Sequence, residues 1–401
     1  MIINIMSVAM FKSFGVDNEY IGLTSLFYLP WMLKPIWSPI VDGISTKRNW
    51  LLTMNFLLGI VFIICGFLIF SQDMMLMIAL VMMIGAFISA THDIAIDGYY
   101  LHALSKGNQA FFSGIRSTFY RLAMIFGSGF LVVLAGRITK TDGYDISDGW
   151  IASFMLAGLI FCIIFVYQKW ILPKPETDLP IKNKLGISFV EAFSEYFKQK
   201  KILVIIAFIL TYRLGEGLLV KMAQPFLMDS ASEGGFGIGV EEIGIMYGTI
   251  GVLALVVGGI LGGVILKKVS LKKMLLPMAL SMNLPNLLYY FLSFNQVGIE
   301  SGTFLIVSKE FMIQSTIIIE QFGYGFGFTS FMVYLLHTSK GKYKSSHYAI
   351  STGIMALGMM IPGTLSGFLE VHMGYSWLFA ASFLASIPGM LIIFYLPHGE
   401  N

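Results

Sequence analysis

Charged residues are scarce in this sequence, where Asp, Glu, Lys and Arg together make up 12% of the 401 residues. Soluble domains typically carry about 25%. Hydrophobic residues instead make up 56%, and the mean hydropathy is +0.78. This balance excludes an ordinary soluble domain and predicts a chain that is solvated by a lipid bilayer.

Cysteine is scarce as well, because only Cys65 and Cys162 occur and both lie within apolar stretches. Two such residues supply neither a disulfide framework nor a cysteine-rich metal site. The six histidines lack metal-ligand spacing, and no Walker-type phosphate loop is found. A formal net charge of +3 gives no reason to expect nucleic acid. The sequence therefore predicts no metal, no cofactor and no nucleic-acid partner, and it argues against an ATP-driven pump.

Long apolar runs, in contrast, recur almost from end to end. A spanning helix needs roughly 20 mainly apolar residues, and runs of about that length alternate here with short polar breaks. They predict an all-α membrane protein with about eleven complete spans. The predicted spans are 20–41, 50–70, 74–98, 111–136, 150–171, 201–223, 241–266, 274–293, 312–337, 347–369 and 376–396.

A shorter apolar stretch, residues 1–14, precedes these spans. It would form roughly 21 Å of helix, against a hydrocarbon core of about 30 Å. No basic flank precedes it, as one would in a signal peptide. The stretch therefore has the character of the second half of a first helix, and we expect the parent protein to encode further apolar residues before Met1.

Lys and Arg are concentrated in alternate loops between the spans. Such loops remain on the cytoplasmic side of a membrane, whereas translocated loops carry few basic residues. The other loops hold most of the loop acids, including Asp142, Asp145 and Glu241. The pattern predicts a cytoplasmic C-terminus. The basic loops lie near residues 47–48, 106, 169–201, 267–273 and 340–344.

The longest polar break contains three prolines followed by a Lys-rich amphipathic stretch. It divides the chain into an N-terminal helix bundle of residues 1–171, a cytoplasmic linker of residues 172–200 and a C-terminal helix bundle of residues 201–401. Each bundle has six helices if the truncated first helix is counted. Short sequence echoes between the halves favour the internal repeat that is typical of transporters.

Four ionisable residues lie well inside predicted spans, where a charge is costly unless it faces a partner or water. Counted along the helices, Arg121, Arg213, Glu216 and Glu320 converge on one layer. We predict that the two arginines bind an acidic or zwitterionic solute, because a guanidinium group can bind a carboxylate with two hydrogen bonds. The two glutamates are predicted to take up and release protons. Ion pairs that only tie the bundles together are the alternative.

A second set of charges lies nearer the predicted cytoplasmic face. Asp93 and Asp97 are four residues apart on one helix, with Arg116 at matching depth and Asp42 at the end of another span. These residues predict a cytoplasmic gate, although plain ion pairs at helix ends would give the same pattern. Lys34 lies deeper, in a proline-rich helix that should kink, and it is predicted either to line the substrate path or to snorkel inward.

Four motifs together cover nearly the whole chain. They are LPWMLKPIWSPIVD at 29–42, ATHDIAID at 90–97, YRLGE at 212–216 and EQFGYG at 320–325. With them the sequence resembles the major facilitator superfamily and, within it, the muropeptide permease (AmpG) and acetyl-CoA transporter branch. It departs from that branch in its truncated first helix, in His92 where Gln is usual and in Gly98 where Ala is usual.

The resemblance implies the major facilitator fold of two six-helix bundles and a proton-driven importer that works by alternating access. Anhydromuropeptides are the leading substrate class that it implies, while acetyl-CoA, a siderophore or another acidic solute would also suit the charges. A non-transporting receptor should have lost the charges inside the membrane, and an intramembrane enzyme should show a nucleophile and base at one depth. We therefore predict a monomeric, proton-coupled transporter in the bacterial inner membrane rather than an enzyme.

Overall fold

The computed structural model describes residues 2–70, 74–104, 119–176, 178, 191, 193–301, 308–339 and 344–397. Throughout these residues the ordered secondary structure is helical. Among them, seven helices are long and apolar enough to cross a membrane by length and composition. Large apolar side chains cover the outer surface, with Trp170 86% exposed and Leu203 78% exposed. The predicted all-α membrane fold is confirmed.

The N-terminal half begins with helix α1, which is short, and helix α2, which is assembled from three pieces. A 3-10 turn, Thr24–Tyr28, separates the α-helical pieces Asn18–Leu23 and Leu29–Ile44. Pro30 lies in the first turn of the last piece, where its missing N–H group has no helical partner to lose. The six helices are α1 (Ile2–Ser13), α2 (18–44), α3 (Lys47–Leu68), α4 (Met75–Ala103), α5 (Phe119–Thr139) and α6 (Ile146–Ile171).

Two helices of the C-terminal half are interrupted. Helix α9 breaks before Asn286, next to Pro285, and α7 consists of a first piece, Ile202–Thr211, and a second piece, Leu214–Met228. Helices α11 and α12 are continuous except at Gly374, whose φ of 75° and ψ of 166° are not helical. The six helices are α7 (Ile202–Met228), α8 (Val240–Lys268), α9 (271–294), α10 (Lys309–Thr338), α11 (344–373) and α12 (375–392).

In each half, one helix packs closely against two neighbours. In the N-terminal half, α3 packs against α4 and α6, and in the C-terminal half, α10 packs against α8 and α9. Glycines allow α8 and α10 to approach each other closely, because a Cβ atom on Gly258 or Gly325 would overlap a backbone carbonyl of the other helix. Close approach of helices at small residues is the usual way in which membrane helices associate.

Two antiparallel seams join the halves, and α7 forms a third seam with α1 and α2. Along the first seam, α5 packs on α8, with Gly129 directly against Gly248. Along the second, α2 packs on α11, where Gly22 and Gly367 come into close contact. We refer to the end of the molecule that carries Lys12 as the Lys12 end and to the opposite end as the Lys47 end. The candidate site lies between these seams.

Candidate functional site

A buried ion pair on α7 forms the centre of the candidate site. The Nε atom of Arg213 donates to one oxygen of Glu216 at 2.7 Å, and Nη2 donates to the other at 2.6 Å. Both side chains are buried. The geometry arises locally, because Arg213 caps the second piece of α7 and Glu216 lies in its first turn. The planar guanidinium group and the carboxylate thus satisfy each other with two parallel hydrogen bonds.

Aromatic side chains of α10 hold the arginine in place. Its Nη2 atom donates to the hydroxyl of Tyr324 at 2.9 Å. Its guanidinium carbon lies 5.5 Å from the centre of that ring and 4.8 Å from the centre of the Phe328 ring. A cation over an aromatic face is attracted by the ring, and the attraction grows when water is excluded. Arg213 is therefore fixed by one carboxylate, one hydroxyl and two rings.

Glu320 lies one turn before Tyr324 on α10 and is only 3% exposed. The side-chain amide of Gln321 donates to its two oxygens at 2.9 and 3.2 Å. Within the part of the chain that the structure describes, no ion pair includes this carboxyl group. The charges of Glu216 and Glu320 both act on the hydroxyl of Tyr247, so both glutamates lie close to this tyrosine.

The N-terminal half contributes two tyrosines and an arginine to this region. Tyr28 of α2 and Tyr120 of α5 lie within electrostatic range of Arg213. The Nη2 atom of Arg121 lies 3.7 Å from the point where a Cβ atom of Gly259 would stand, and the hydroxyl oxygen of Thr329 lies at the same distance from that point. Arg121 therefore reaches across from α5 to α8 and α10.

The four charges predicted to share one layer lie instead at different heights along the length of α10. Thr329, beside Arg121, follows Glu320 by nine residues, which corresponds to roughly 13 Å of helix. Arg213 lies between these two levels, since it contacts Tyr324 and Phe328. Of the four residues, the structure brings Arg213 and Glu216 into direct contact and leaves Glu320 and Arg121 on either side of them.

Lys34 and Asp93 form an ion pair inside the N-terminal half. The Nζ atom of Lys34 lies 2.7 Å from Oδ2 of Asp93, and the side chains are 21% and 36% exposed. The sequence predicted that Lys34 either lines the substrate path or snorkels inward and that Asp93 belongs to a gate, and the structure joins the two side chains in one ion pair. Asp97 lies within electrostatic range of Tyr348 on α11. Arg116 and the side chain of Asp42 lie outside the described residues.

Lys221 was missed by the sequence analysis. The span predicted at 201–223 extends to Met228, so this lysine lies inside the helix rather than near its end. It is 2% exposed and donates to the backbone oxygen of Asn4 at 3.1 Å and to the hydroxyl of Thr24 at 3.0 Å. The apolar residues after Lys221 are the signal that should have extended the span.

At the Lys12 end, five polar side chains connect the halves, and we call them the Lys12 network. Lys12 forms an ion pair with Asp229 and donates to Asn18 at 2.9 Å. The amide of Asn18 donates to Glu370 at 2.7 Å and to the Tyr375 hydroxyl at 2.8 Å. That hydroxyl donates in turn to Asp229 at 2.5 Å. The network borders an open recess of about 790 Å³.

A more exposed set of ion pairs lies beside this network. Arg137 and Lys140, at the end of α5, bind Glu241 and Glu242 at the start of α8. The hydrogen bonds from Lys140 to Glu242 and Glu241 raise the pKa of this lysine above its usual range. Because Lys140 is exposed to water, these pairs stabilise the seam only weakly. Among the described residues, no cluster of His, Cys, Asp or Glu is suited to hold a metal ion.

The sequence matches the profile described as Major Facilitator Superfamily over residues 1–317. It is 26% identical to the anhydromuropeptide permease of Escherichia coli strain K12 over 385 residues, which cover 94% of this chain and 73% of the permease. It is also 23% identical to a putative transporter AmpG 4 of Rickettsia conorii, over 96% of this chain and 90% of the relative.

Solved structures show the same fold. A bacterial homologue of the human lysosomal transporter Spinster superposes with a TM-score of 0.71 at 14% identity, covering 98% of this chain and 92% of that chain. A D-xylose–proton symporter superposes with a TM-score of 0.71 at 11% identity, covering 96% and 88%. With the profile match and the transporter relatives, these folds indicate a multi-pass membrane transporter rather than an enzyme. The chain belongs to the major facilitator superfamily.

Proposed function

We propose that this transporter is a proton-coupled importer of acidic peptidoglycan fragments, the anhydromuropeptides, in the bacterial inner membrane. The similarity to the anhydromuropeptide permease over nearly the whole chain supports this substrate class. The site chemistry agrees, because it combines guanidinium groups with aromatic rings. Sugar peptides offer carboxylates for the former and apolar ring faces for the latter.

The surroundings of the Glu320 carboxyl group are the observation that carries the proposal. Its carboxyl group is buried beside the central ion pair and is contacted by an amide rather than by a cation. A buried carboxylate without a cation is costly, and uptake of a proton removes the charge. Glu320 is thus suited to bind a proton when the site faces one side of the membrane and to release it when the site faces the other. Glu216 is less suited, because Arg213 already neutralises it.

The substrate would enter between the halves. Arg213 and Arg121 would receive its acidic groups, with Tyr28, Tyr120 and Tyr324 beside them. Lys34 would line the path towards the Lys47 end, where Asp42, Asp93, Asp97 and Arg116 would form the cytoplasmic gate. The Lys12 network would close the opposite, outer end.

The proposed orientation places the Lys47 end and the C-terminus in the cytoplasm, following the distribution of Lys and Arg. The two halves, residues 1–171 and 201–401, would rock against each other around the central site, with residues 172–200 as the cytoplasmic linker. The protein would work as a monomer, because each chain carries both halves of the site.

Uptake into proteoliposomes tests the proposal. The purified chain is reconstituted, a pH gradient is imposed, and accumulation of a radiolabelled anhydromuropeptide is measured against the uncharged sugar N-acetylglucosamine. We expect accumulation of the muropeptide that stops when the gradient is collapsed with an ionophore. Uptake of neither compound, or uptake that ignores the gradient, would contradict the proposal. Unlabelled acetyl-CoA is added as a competitor, and its effect on muropeptide uptake shows whether the site also accepts this other acidic solute.

Glu320→Gln is the matched variant, because it keeps the shape of the side chain and removes the titratable group. If Glu320 carries the proton, the variant loses gradient-driven accumulation but still exchanges labelled for unlabelled muropeptide across the membrane. Glu310→Gln, on the exposed first turn of the same helix, is the control and should behave as the parent. Gradient-driven accumulation by Glu320→Gln would remove this residue from the coupling mechanism.

A further inference from the structure

Lys221 is buried without a carboxylate partner among the described residues. Its side chain is 2% exposed, and its two hydrogen-bond acceptors are a backbone oxygen and a hydroxyl, both neutral. The ring of Tyr28 lies 5.7 Å from its Nζ atom. Among the residues that the structure describes, no carboxylate lies within ion-pair distance of Lys221.

The position of Lys221 links it to the central site. It lies on α7, and both of its acceptors belong to the opposite half, Asn4 on α1 and Thr24 on α2. Tyr28, the aromatic ring beside it, is also within electrostatic range of Arg213 and Glu216. Lys221 therefore lies in the seam that must open for a solute to pass, next to the charged centre.

A purely structural role does not explain the charge. A methionine side chain has nearly the same length and would fill the same space in the seam without bringing an ammonium group into it. Buried charges that serve only packing can often be replaced by apolar residues without loss of stability. In membrane proteins, such charges instead mark the paths of substrates and ions.

Two further buried groups in this seam lack a partner. The side-chain oxygens of Asn4 and Gln224 make no hydrogen bond to any described residue. Asn4 is the residue whose backbone accepts from Lys221, and Gln224 follows Lys221 by three residues on α7. Unsatisfied buried polar atoms are uncommon and call for a missing partner. Two unsatisfied acceptors on residues close to Lys221 suit a solute that also has hydroxyl or amide donors.

We propose that Lys221 is a further cation, besides Arg121 and Arg213, that receives an acidic group of the transported solute. Arg213 is paired with Glu216, whereas Lys221 is held by two neutral acceptors. When the solute enters the seam, its carboxylate replaces the neutral acceptors of Lys221, which loosens α7 from α1 and α2. Substrate binding and separation of the halves are thereby coupled. The proposal rests on the proposed function, because it needs a solute with an acidic group.

A pair of probes that differ in one charge tests this assignment. Binding of 1,6-anhydro-N-acetylmuramic acid and of its neutral lactyl amide is measured on the purified full chain in detergent. We expect the unsubstituted protein to bind the acid at least about tenfold more tightly than the amide. Lys221→Met should lose this preference by weakening only the acid, and Lys221→Arg should retain part of it. Lys268→Met, at an exposed position, is the matched control.

Thermal unfolding without any ligand provides the second measurement. If the charge serves a solute, Lys221→Met should unfold at the same temperature as the parent or at a higher one. A lower unfolding temperature together with equal losses of affinity for both probes would mean that the lysine is structural and would overturn the proposal. The proposal would also be overturned if Lys221→Met kept the preference of the unsubstituted protein for the acid. If the parent binds neither probe, the proposed substrate class fails, and the unfolding temperature alone decides the role of Lys221.

Discussion

Arg213 and Glu216 form an ion pair that is nearly removed from water. Bringing two charges into a low-dielectric region is costly, and only good geometry and additional hydrogen bonds compensate for it. The double hydrogen bond, the Tyr324 hydroxyl and the Phe328 ring supply that compensation.

Breaking this pair should therefore cost more than removing it. Glu216→Gln leaves Arg213 buried without its carboxylate and should lower the free energy of unfolding by roughly 3–5 kcal/mol. The double variant Arg213→Met/Glu216→Leu should recover most of that stability, because no charge is left unpaired, and it should not transport. Thermal unfolding in detergent and uptake into proteoliposomes measure the two effects.

A double variant as unstable as Glu216→Gln would contradict this account of the pair. Arg137→Met/Glu241→Leu is the control, because it removes an exposed arginine together with its carboxylate and leaves Lys140 paired with Glu242. Its effect on the unfolding temperature should be small, since exposed ion pairs contribute about 0–1 kcal/mol.

At the scale of helices, the breaks within α7 and between α11 and α12 position polar side chains of the candidate site and of the Lys12 network. Helix α7 is interrupted at Arg213, whose φ of −109° and ψ of 12° are not helical, and the side chain of Arg213 contacts Tyr324 and Phe328 on α10. Helices α11 and α12 are separated by one residue, Gly374, whose φ of 75° and ψ of 166° are essentially restricted to glycine. That break sets Glu370 on one side and Tyr375 on the other, and both join the Lys12 network.

Gly374→Ala should destabilise the fold through its backbone alone. A Cβ atom there meets no other atom within 4 Å, so the cost is the strained φ/ψ pair, roughly 1–3 kcal/mol. Gly263→Ala is the matched control, because that glycine is helical and also has open space around it. It should be neutral or slightly stabilising. Comparison of the two unfolding temperatures checks the prediction, and equal values would contradict it.

At the scale of the whole molecule, the Lys12 network connects α1 and α2 to the end of α7 and to α11 and α12. The glycine contacts of the α5–α8 seam, at Gly129 and Gly248, lie towards the same end. A transporter that alternates must separate these surfaces in every cycle. Interfaces held by a few polar contacts are suited to that task, because each contact can exchange with water when the halves move apart.

A covalent cross-link across this interface should stop the cycle. In a background without Cys65 and Cys162, the pair Lys12→Cys/Asp229→Cys is joined by a bifunctional methanethiosulfonate reagent that spans the length of the lost side chains. Uptake should fall to background and return after reduction. Lys309→Cys/Glu300→Cys is the control, because this pair lies at the same end but within one half, and its cross-linking should leave uptake unchanged. Transport by the cross-linked Lys12–Asp229 variant would show that this end does not need to open.

The sequence by itself determined the properties that depend on neighbouring residues. Apolar runs long enough to span a bilayer predicted the all-α membrane fold, and the motifs indicated the superfamily, both of which are confirmed. The contact between Arg213 and Glu216 could also be expected, because residues three apart share one face of a helix. The functional roles of the predicted site residues stay predictions.

Only the tertiary structure decided which distant residues meet. Lys34 pairs with Asp93 across 59 residues of sequence, and Lys221 contacts Asn4 across 217. Apolar patterning records how deep a residue lies in the membrane but not which way its helix face turns, because a span can be apolar all round. Helix rotation and contact are set by how side chains pack between helices. The spacing of charges along α10 and the contacts of the Lys12 network therefore emerged only from the packed helices.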